Sequence, residues 1–328
     1  MVDATLQSFR ATSDATVEWL LASSREDGSL SEANDEPRSY AKAPLLLLLA
    51  GHGRRCQRML DHLAGRHQRP DGSFVAGVVE EDPSVDGWLV IGSQRAGRFD
   101  LARVGWAHLR RYAHPGLGGF CRAGHHSGDG DNIVDLATTA QLGLAALYCG
   151  ELPLALAAGH CLRLFWERQA DRSRLRLQMD DAGDLLETWN AREIQNQVID
   201  PEKPDQNWAA LGYAIAFLVQ LGRATGNASH LSTAHLRTAR SFASFVLEGD
   251  RFERVLASHT AHGLGWGLAL LARVTGESDY REFAWRIAGV LRERQESDGT
   301  WLPDADPRSR FEQSIEAALW LREIAQLG

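Results

Sequence analysis

A short phrase recurs along this chain and constrains its architecture more than any other feature. It reads Arg25-Glu26-Asp27-Gly28-Ser29-Leu30, then Gln68-Arg69-Pro70-Asp71-Gly72-Ser73-Phe74, and finally Gln295-Glu296-Ser297-Asp298-Gly299-Thr300-Trp301. A degenerate copy, Gly116-Leu117-Gly118-Gly119-Phe120, lies between them. Each copy follows a stretch of helical periodicity. A repeated turn marks a repeated structural unit, and that unit decides the fold.

Strand signals are nearly absent and helical periodicity is nearly everywhere. The pattern predicts helices at about 4–24, 39–50, 54–67, 84–96, 99–112, 132–148, 151–170, 204–222, 230–247, 259–275, 279–296 and 309–326. They alternate in character. One set carries Arg and Glu on one face, as in 54–67, 99–112 and 279–296. The other set is apolar or small all round, as in Leu45 to Ala50, Leu142 to Leu147 and Gly263 to Leu270, which is the mark of a buried helix. Each buried helix but the last ends in a small residue plus Gly: Ala50-Gly51, Ala96-Gly97, Cys149-Gly150, Thr225-Gly226 and Thr275-Gly276. Glycine there is a helix C-terminal signal.

Six pairs of an outer and an inner helix follow. The expected fold is all-α, an (α/α)6 toroid of six helical hairpins. An open solenoid is the alternative; it needs terminal capping repeats, and none is evident. Residues 1–328 are expected to form one toroid domain. A longer, more polar insertion at about 171–203 is a candidate lid.

The phrase Gln295-x-x-Asp298-Gly299-x-Trp301 resembles the QW motif of terpenoid cyclases, and Gln68 to Phe74 is a close variant. Protein prenyltransferase subunits carry related repeats on the same toroid. The six-hairpin glycosidases and sugar epimerases share the toroid without the phrase. The resemblance implies a scaffold in which the motif ties an outer helix to the next turn, and it implies no catalytic role for the motif. Asp180-Asp181-Ala182-Gly183-Asp184 spells the DDxxD of class I terpene synthases, but Gly183 places it in a loop rather than on a helix. The DxDD acid of squalene-hopene-type cyclases is absent.

In such a ring the first turns of the inner helices face one mouth. Those turns carry Tyr40 and Lys42; Asp86 and Trp88; Asp131, Asn132 and Asp135; Asp205, Asn207 and Trp208; His259 and His262; Glu312, Gln313 and Glu316. Acidic residues there also serve as caps and dipole partners. His259 and His262, three apart, are expected on one helical face, with Trp266 one turn on. Glu312 and Glu316, four apart, share a face, and paired carboxylates raise one pKa. The loop Gly124 to Asn132, with His125, His126 and Asp129, is the densest polar cluster. Metal binding by it or by His259 and His262 is an open alternative.

The expected function is a cofactor-independent cyclase or isomerase acting on a small, partly apolar metabolite. His262, Asp135, Glu316 and Asp86 are the candidate acids and bases. Tyr40, Lys42, Trp88, Asn132, Asn207, Trp208, His259, Trp266 and Glu312 are the candidate substrate contacts. A carbohydrate enzyme (glycosidase, lyase or epimerase) and a non-catalytic helical binding protein are the alternatives.

The formal charge of −8 leaves no basic surplus for nucleic acid. No apolar run approaches the roughly 20 residues that span a bilayer. The four cysteines show no metal-like spacing. With no signal-peptide pattern after Met1, a cytoplasmic location is expected.

Overall fold

The structure, a computed structural model, describes the chain except residues 1, 32–34, 75–81, 123–131, 187–196, 227–229 and 328. The helices are α1 (Val2–Ser23), α2 (Pro37–Tyr40), α3 (Ala43–Leu49), α4 (Gly53–Arg66), α5 (Pro83–Arg95), α6 (Phe99–Leu109), α7 (Leu136–Tyr148) and α8 (Leu152–Glu167). They continue as α9 (Trp208–Ala224), α10 (His230–Leu247), α11 (Arg251–Ala257), α12 (Ala261–Thr275), α13 (Ser278–Glu293) and α14 (Pro307–Leu327). Two-residue strands β1 (Val134–Asp135), β2 (Leu175–Arg176), β3 (Gln178–Met179) and β4 (Val198–Ile199) form antiparallel pairs, β1 with β3 and β2 with β4. The chain divides into two compact units, 1–110 with 288–328, and 111–287.

In the first unit the buried helices are α3, α5 and α14. Leu45 to Leu47, Trp88 to Ile91 and Ala317 to Leu321 are all at most 2% exposed. Helix α3 packs on α5 and on α14, while α4, α6 and α1 cover α3, α5 and α14 in turn. The first helix of the chain therefore packs on the last.

The sequence predicts one helix from about 39 to 50, but the structure breaks it into α2 and α3. Pro44 stands in the first turn of α3. Its missing N–H cannot bond the Tyr40 carbonyl four residues back, so the helix restarts there.

The recurrent turn has one bonding pattern. The Arg69 N–H donates to the Ser73 carbonyl at 2.8 Å, and the Gly72 N–H to the Arg69 carbonyl at 2.9 Å. The Asp71 carboxylate accepts both the Ser73 N–H and its hydroxyl, at 3.1 and 2.8 Å. The copies at 25–29 and 296–300 repeat these contacts. Gly72 sits at φ 95°, where a Cβ would also overlap the Val104 carbonyl of α6. By the same test Gly28 lies against Arg58 of α4, and Gly299 against the Ala15 carbonyl of α1. Each turn thus seats on the outer helix of the next hairpin, and the last seats on the first. Gln295 adds hydrogen bonds to the Thr12 carbonyl at 2.9 Å and the Gly299 carbonyl at 3.1 Å, and the Trp301 indole N–H donates to Leu291 of α13 at 2.8 Å.

A further copy of the turn was hidden in the sequence. The Asp180 N–H donates to Asp184 and the Gly183 N–H to Asp180, at 3.0 and 2.9 Å. The DDxxD-like segment is this turn with Ala182 in place of its aspartate.

In the second unit α7, α9 and α12 are buried, with α9 packed on both of the others. Gly212 of α9 meets the Gly263 backbone of α12 so closely that a Cβ would overlap it. The small residues of these helices are there for that approach. Helix α7 begins at Leu136, not at 132, because Val134 and Asp135 pair as β1 and Asp135 then caps the helix. Helix α11 is an addition to the predicted set. The described part of 171–203 holds β2, β3, β4 and the hidden turn.

Candidate functional site

The first unit gathers seven side chains from α2, the starts of α3 and α5, α5 itself and α14. Trp88 and Trp320 form the bed, 2% and 1% exposed, with ring centroids 5.4 Å apart and planes at 63°. The Lys42 ammonium sits 5.1 Å from the Trp88 ring centroid and forms an ion pair with Glu316. Arg38 holds Asp82 at 2.7 Å and approaches Glu312 at 3.7 Å. Side-chain exposure rises outward, from 13% for both Lys42 and Glu316 to 28% for Glu312 and 48% for Arg38.

The two glutamates differ sharply in environment. Lys42 neutralises Glu316 directly. Burial pushes the Glu312 carboxyl up to about 7; Arg38 opposes that rise, and the nearby Glu316 charge adds to it. Glu312 is therefore close to half protonated at neutral pH, the condition for a group that both gives and takes a proton. Arg38 and Trp320 are members that the sequence did not single out. Arg38 lies in the short α2, and Trp320 reads as ordinary helix core.

Tyr40 and Asp86, both candidates from the sequence, hold turns in place. The Tyr40 hydroxyl accepts the Leu30 N–H at 2.8 Å, and Asp86 accepts the Phe74 N–H at 3.2 Å. Thr139 does the same for Phe120 at 2.9 Å, and Ser314 for Trp301 at 2.9 Å. In each case the donor is the residue just after the turn and the acceptor lies on or beside a buried helix. Four unlike side chains perform one task, so no sequence pattern revealed it.

Beyond Tyr40 stands a second polar group. Oδ1 of Asp35 lies 2.7 Å from the Tyr40 hydroxyl, 2.8 Å from Nε2 of His62 and 3.1 Å from Nε2 of His67. Burial works to raise the Asp35 carboxyl, but the hydrogen bonds from Tyr40, His67 and His62 outweigh it and hold it down at about 2. Spacings of 27 and 5 residues gave no motif to read.

In the second unit Asp135 is 5% exposed and caps α7. It accepts the Thr138 N–H at 2.8 Å, the Thr138 hydroxyl at 3.0 Å and the Gln178 amide at 3.4 Å. Burial raises its pKa against those hydrogen bonds and the charge of Arg122. Trp208 and Trp266 are buried, and His262 is 2% exposed. The Trp208 N–H donates to the Thr260 hydroxyl at 3.1 Å, and that hydroxyl donates to the Gln206 carbonyl at 2.7 Å, which ties the start of α9 to the start of α12. Asn207 precedes α9 without a side-chain cap bond. His259 is exposed in the turn ahead of α12, so it does not share a helical face with His262. Asn132 donates to Asp181 at 3.4 Å, and His114 lies 2.7 Å from the same oxygen. His125, His126, Asp129 and Asp131 lie outside the described residues.

No protein-family model matches this sequence, and no curated protein does. Solved structures do match along the whole chain. The type II terpene cyclase MstE from Scytonema is 15% identical with a TM-score of 0.64, covering 98% of this chain and 99% of its own. A D-mannose isomerase is 10% identical with a TM-score of 0.68, covering 97% of each chain. The GH76A α-1,6-mannanase of Salegentibacter sp. HEL1_6 is 14% identical with a TM-score of 0.67, covering 98% of this chain and 100% of its own. The fold class is accordingly the all-α (α/α)6 toroid, resembling both the terpenoid cyclases and the carbohydrate-active toroids.

Proposed function

We propose that the protein is an enzyme, a cyclase or isomerase that works by acid–base chemistry on a small, partly apolar metabolite. The observation that carries this reading is Glu312. It is a carboxyl raised to about 7 that Arg38 approaches at 3.7 Å, one helical turn from the Glu316 that pairs with Lys42 over the Trp88 ring. Glu312 gives a proton to the substrate and takes one back. The apolar bed lowers the local dielectric, which both raises that carboxyl and strengthens the fixed charges around it. Lys42 and Glu316 form the polar wall, and Arg38 stands at the rim. Asp135 is a second raised carboxyl, already occupied as a helix cap, and His262 is the buried base candidate of its own unit.

A carbohydrate enzyme is the second reading. The charged wall of Arg38, Lys42 and Glu316 suits a polyol, and two of the similar solved structures act on sugars by name. Glycoside hydrolysis by this pair is disfavoured. Two carboxylates must flank the scissile bond, whereas Glu312 and Glu316 stand one turn apart on the same helix.

The test is turnover of two substrate panels, isoprenoid-bearing aromatic acids and free aldoses and ketoses, by wild type and E312Q. The expected result is conversion within one panel, lost at least about 100-fold in E312Q. Full activity in E312Q removes Glu312 from the reaction. Saturable binding without conversion of any compound favours a binding protein instead.

A further inference from the structure

We propose that Asp35, His62 and His67 form a binding site for a first-row divalent transition-metal ion. One ligand atom from each residue lies within 4.8 Å of the other two, and Asp35 Oδ1 lies 2.8 Å from Nε2 of His62 and 3.1 Å from Nε2 of His67. This reading is independent of the role given to Glu312.

Proton arithmetic carries the argument. The Tyr40 oxygen accepts the Leu30 N–H, so its own proton goes to Asp35 Oδ1. Both imidazoles also turn Nε2 to that same oxygen, at 2.8 and 3.1 Å. If both nitrogens carry protons, three donors crowd one carboxylate oxygen that offers about two lone pairs. If either lacks its proton, two lone pairs face each other at hydrogen-bond distance. A cation resolves both cases, because it accepts the lone pairs of Nε2, Nε2 and Oδ1 together.

The spacing fits. Imidazole and carboxylate ligands lie about 2.0–2.2 Å from such a metal, so neighbouring ligands at right angles are about 3 Å apart. The two observed Nε2 to Oδ1 separations bracket that value. Two imidazoles and one carboxylate on one side of a metal leave further positions open. The Tyr40 hydroxyl then serves as the outer hydrogen bond that orients the ligating carboxylate, as metal sites require. Side-chain exposures of 22% for Asp35 and 18% for His62 leave an entry from solvent, while His67 is buried behind them. The rings of Tyr40, His62 and His67 pack at 5.6 to 5.8 Å between centroids, tilted or edge-on, which fixes both imidazoles before a metal arrives.

The experiment is a Co2+ titration of the chelator-treated full chain, followed by visible absorption and by NMR of the histidine ring protons, with Zn2+ competition by calorimetry. Wild type is expected to bind one Co2+ per chain, displaced by Zn2+, with paramagnetic shifts on His62 and His67. D35N and H62Q should each weaken binding by at least about tenfold while matching the metal-free wild type in circular dichroism, so that both variants are folded when titrated. Absence of saturable uptake by wild type overturns the proposal. So does uptake that leaves the His62 and His67 signals unshifted, whatever the fate of the variants.

Discussion

Glu312 and Glu316 are one helical turn apart, yet their environments differ because their partners differ. Lys42 pairs with Glu316, whereas Arg38 approaches Glu312 at 3.7 Å. That difference has a consequence for stability. In the folded chain Glu312 holds its proton up to about 7, whereas an ordinary glutamate loses it near 4.5. Between those values the folded state binds more protons than the unfolded state, so this group makes stability fall as pH rises from about 4.5 to 7. Below that window both states are protonated, and above it the full penalty is present. E312Q should remove the slope: its melting temperature should gain on wild type between pH 5 and 8, and parallel curves would contradict the assignment. Asp35 works in the opposite sense. Its stabilising bonds are in place above pH 3.8 and are lost as pH falls through about 2, so D35N should be less sensitive to acid than wild type in the same melting series. Of these residues the sequence pointed to Lys42, Trp88, Glu312 and Glu316 through their places at helix starts. It was silent on Asp35, His62 and His67, since only the folded backbone brings them together.

At the scale of elements the repeated turn is the best-read feature. Its Asp-Gly-Ser/Thr chemistry is local, so three residues suffice to show it. Gly72→Ala tests it: left-handed backbone strain of about 1–3 kcal/mol adds to a clash with the Val104 carbonyl, so a clear loss of stability is expected in denaturant melts. An unchanged midpoint would mean that the turn is not seated on α6. Gly212→Ala should cost about 1–3 kcal/mol by overpacking the α9–α12 crossing. The glycine-rich run 263–267 announced such an approach but not its partner. The misread starts are equally physical. Pro44 splits the first inner helix, and β1 pairing with β3 draws Val134 and Asp135 out of the third. The turn at 180–184 escaped notice because Ala182 lacks the carboxylate that marks the other copies.

At the scale of the molecule, the count of six hairpins was legible because turn, glycine stop and apolar run recur in order. The substrate was not legible, because one fold carries a cyclase, an isomerase and a mannanase at 10–15% identity to this chain. A closed ring differs from an open array in one respect that can be tested by truncation. Helix α1 packs on α14 and seats the last turn. Removing residues 1–23 should therefore abolish cooperative unfolding, rather than subtract one repeat's share as in a solenoid. A truncated chain with a sharp, near-normal melt would contradict closure. The proposed chemistry turns on Glu312, a carboxyl that its surroundings hold near neutrality. Its most direct test is a 13C NMR titration of the glutamate carboxyls, with the Glu312 signal assigned by its absence in E312Q. A midpoint near 7 is expected; a midpoint at the ordinary carboxylate value, near 4.5, would rule out Glu312 as the proton-exchanging group.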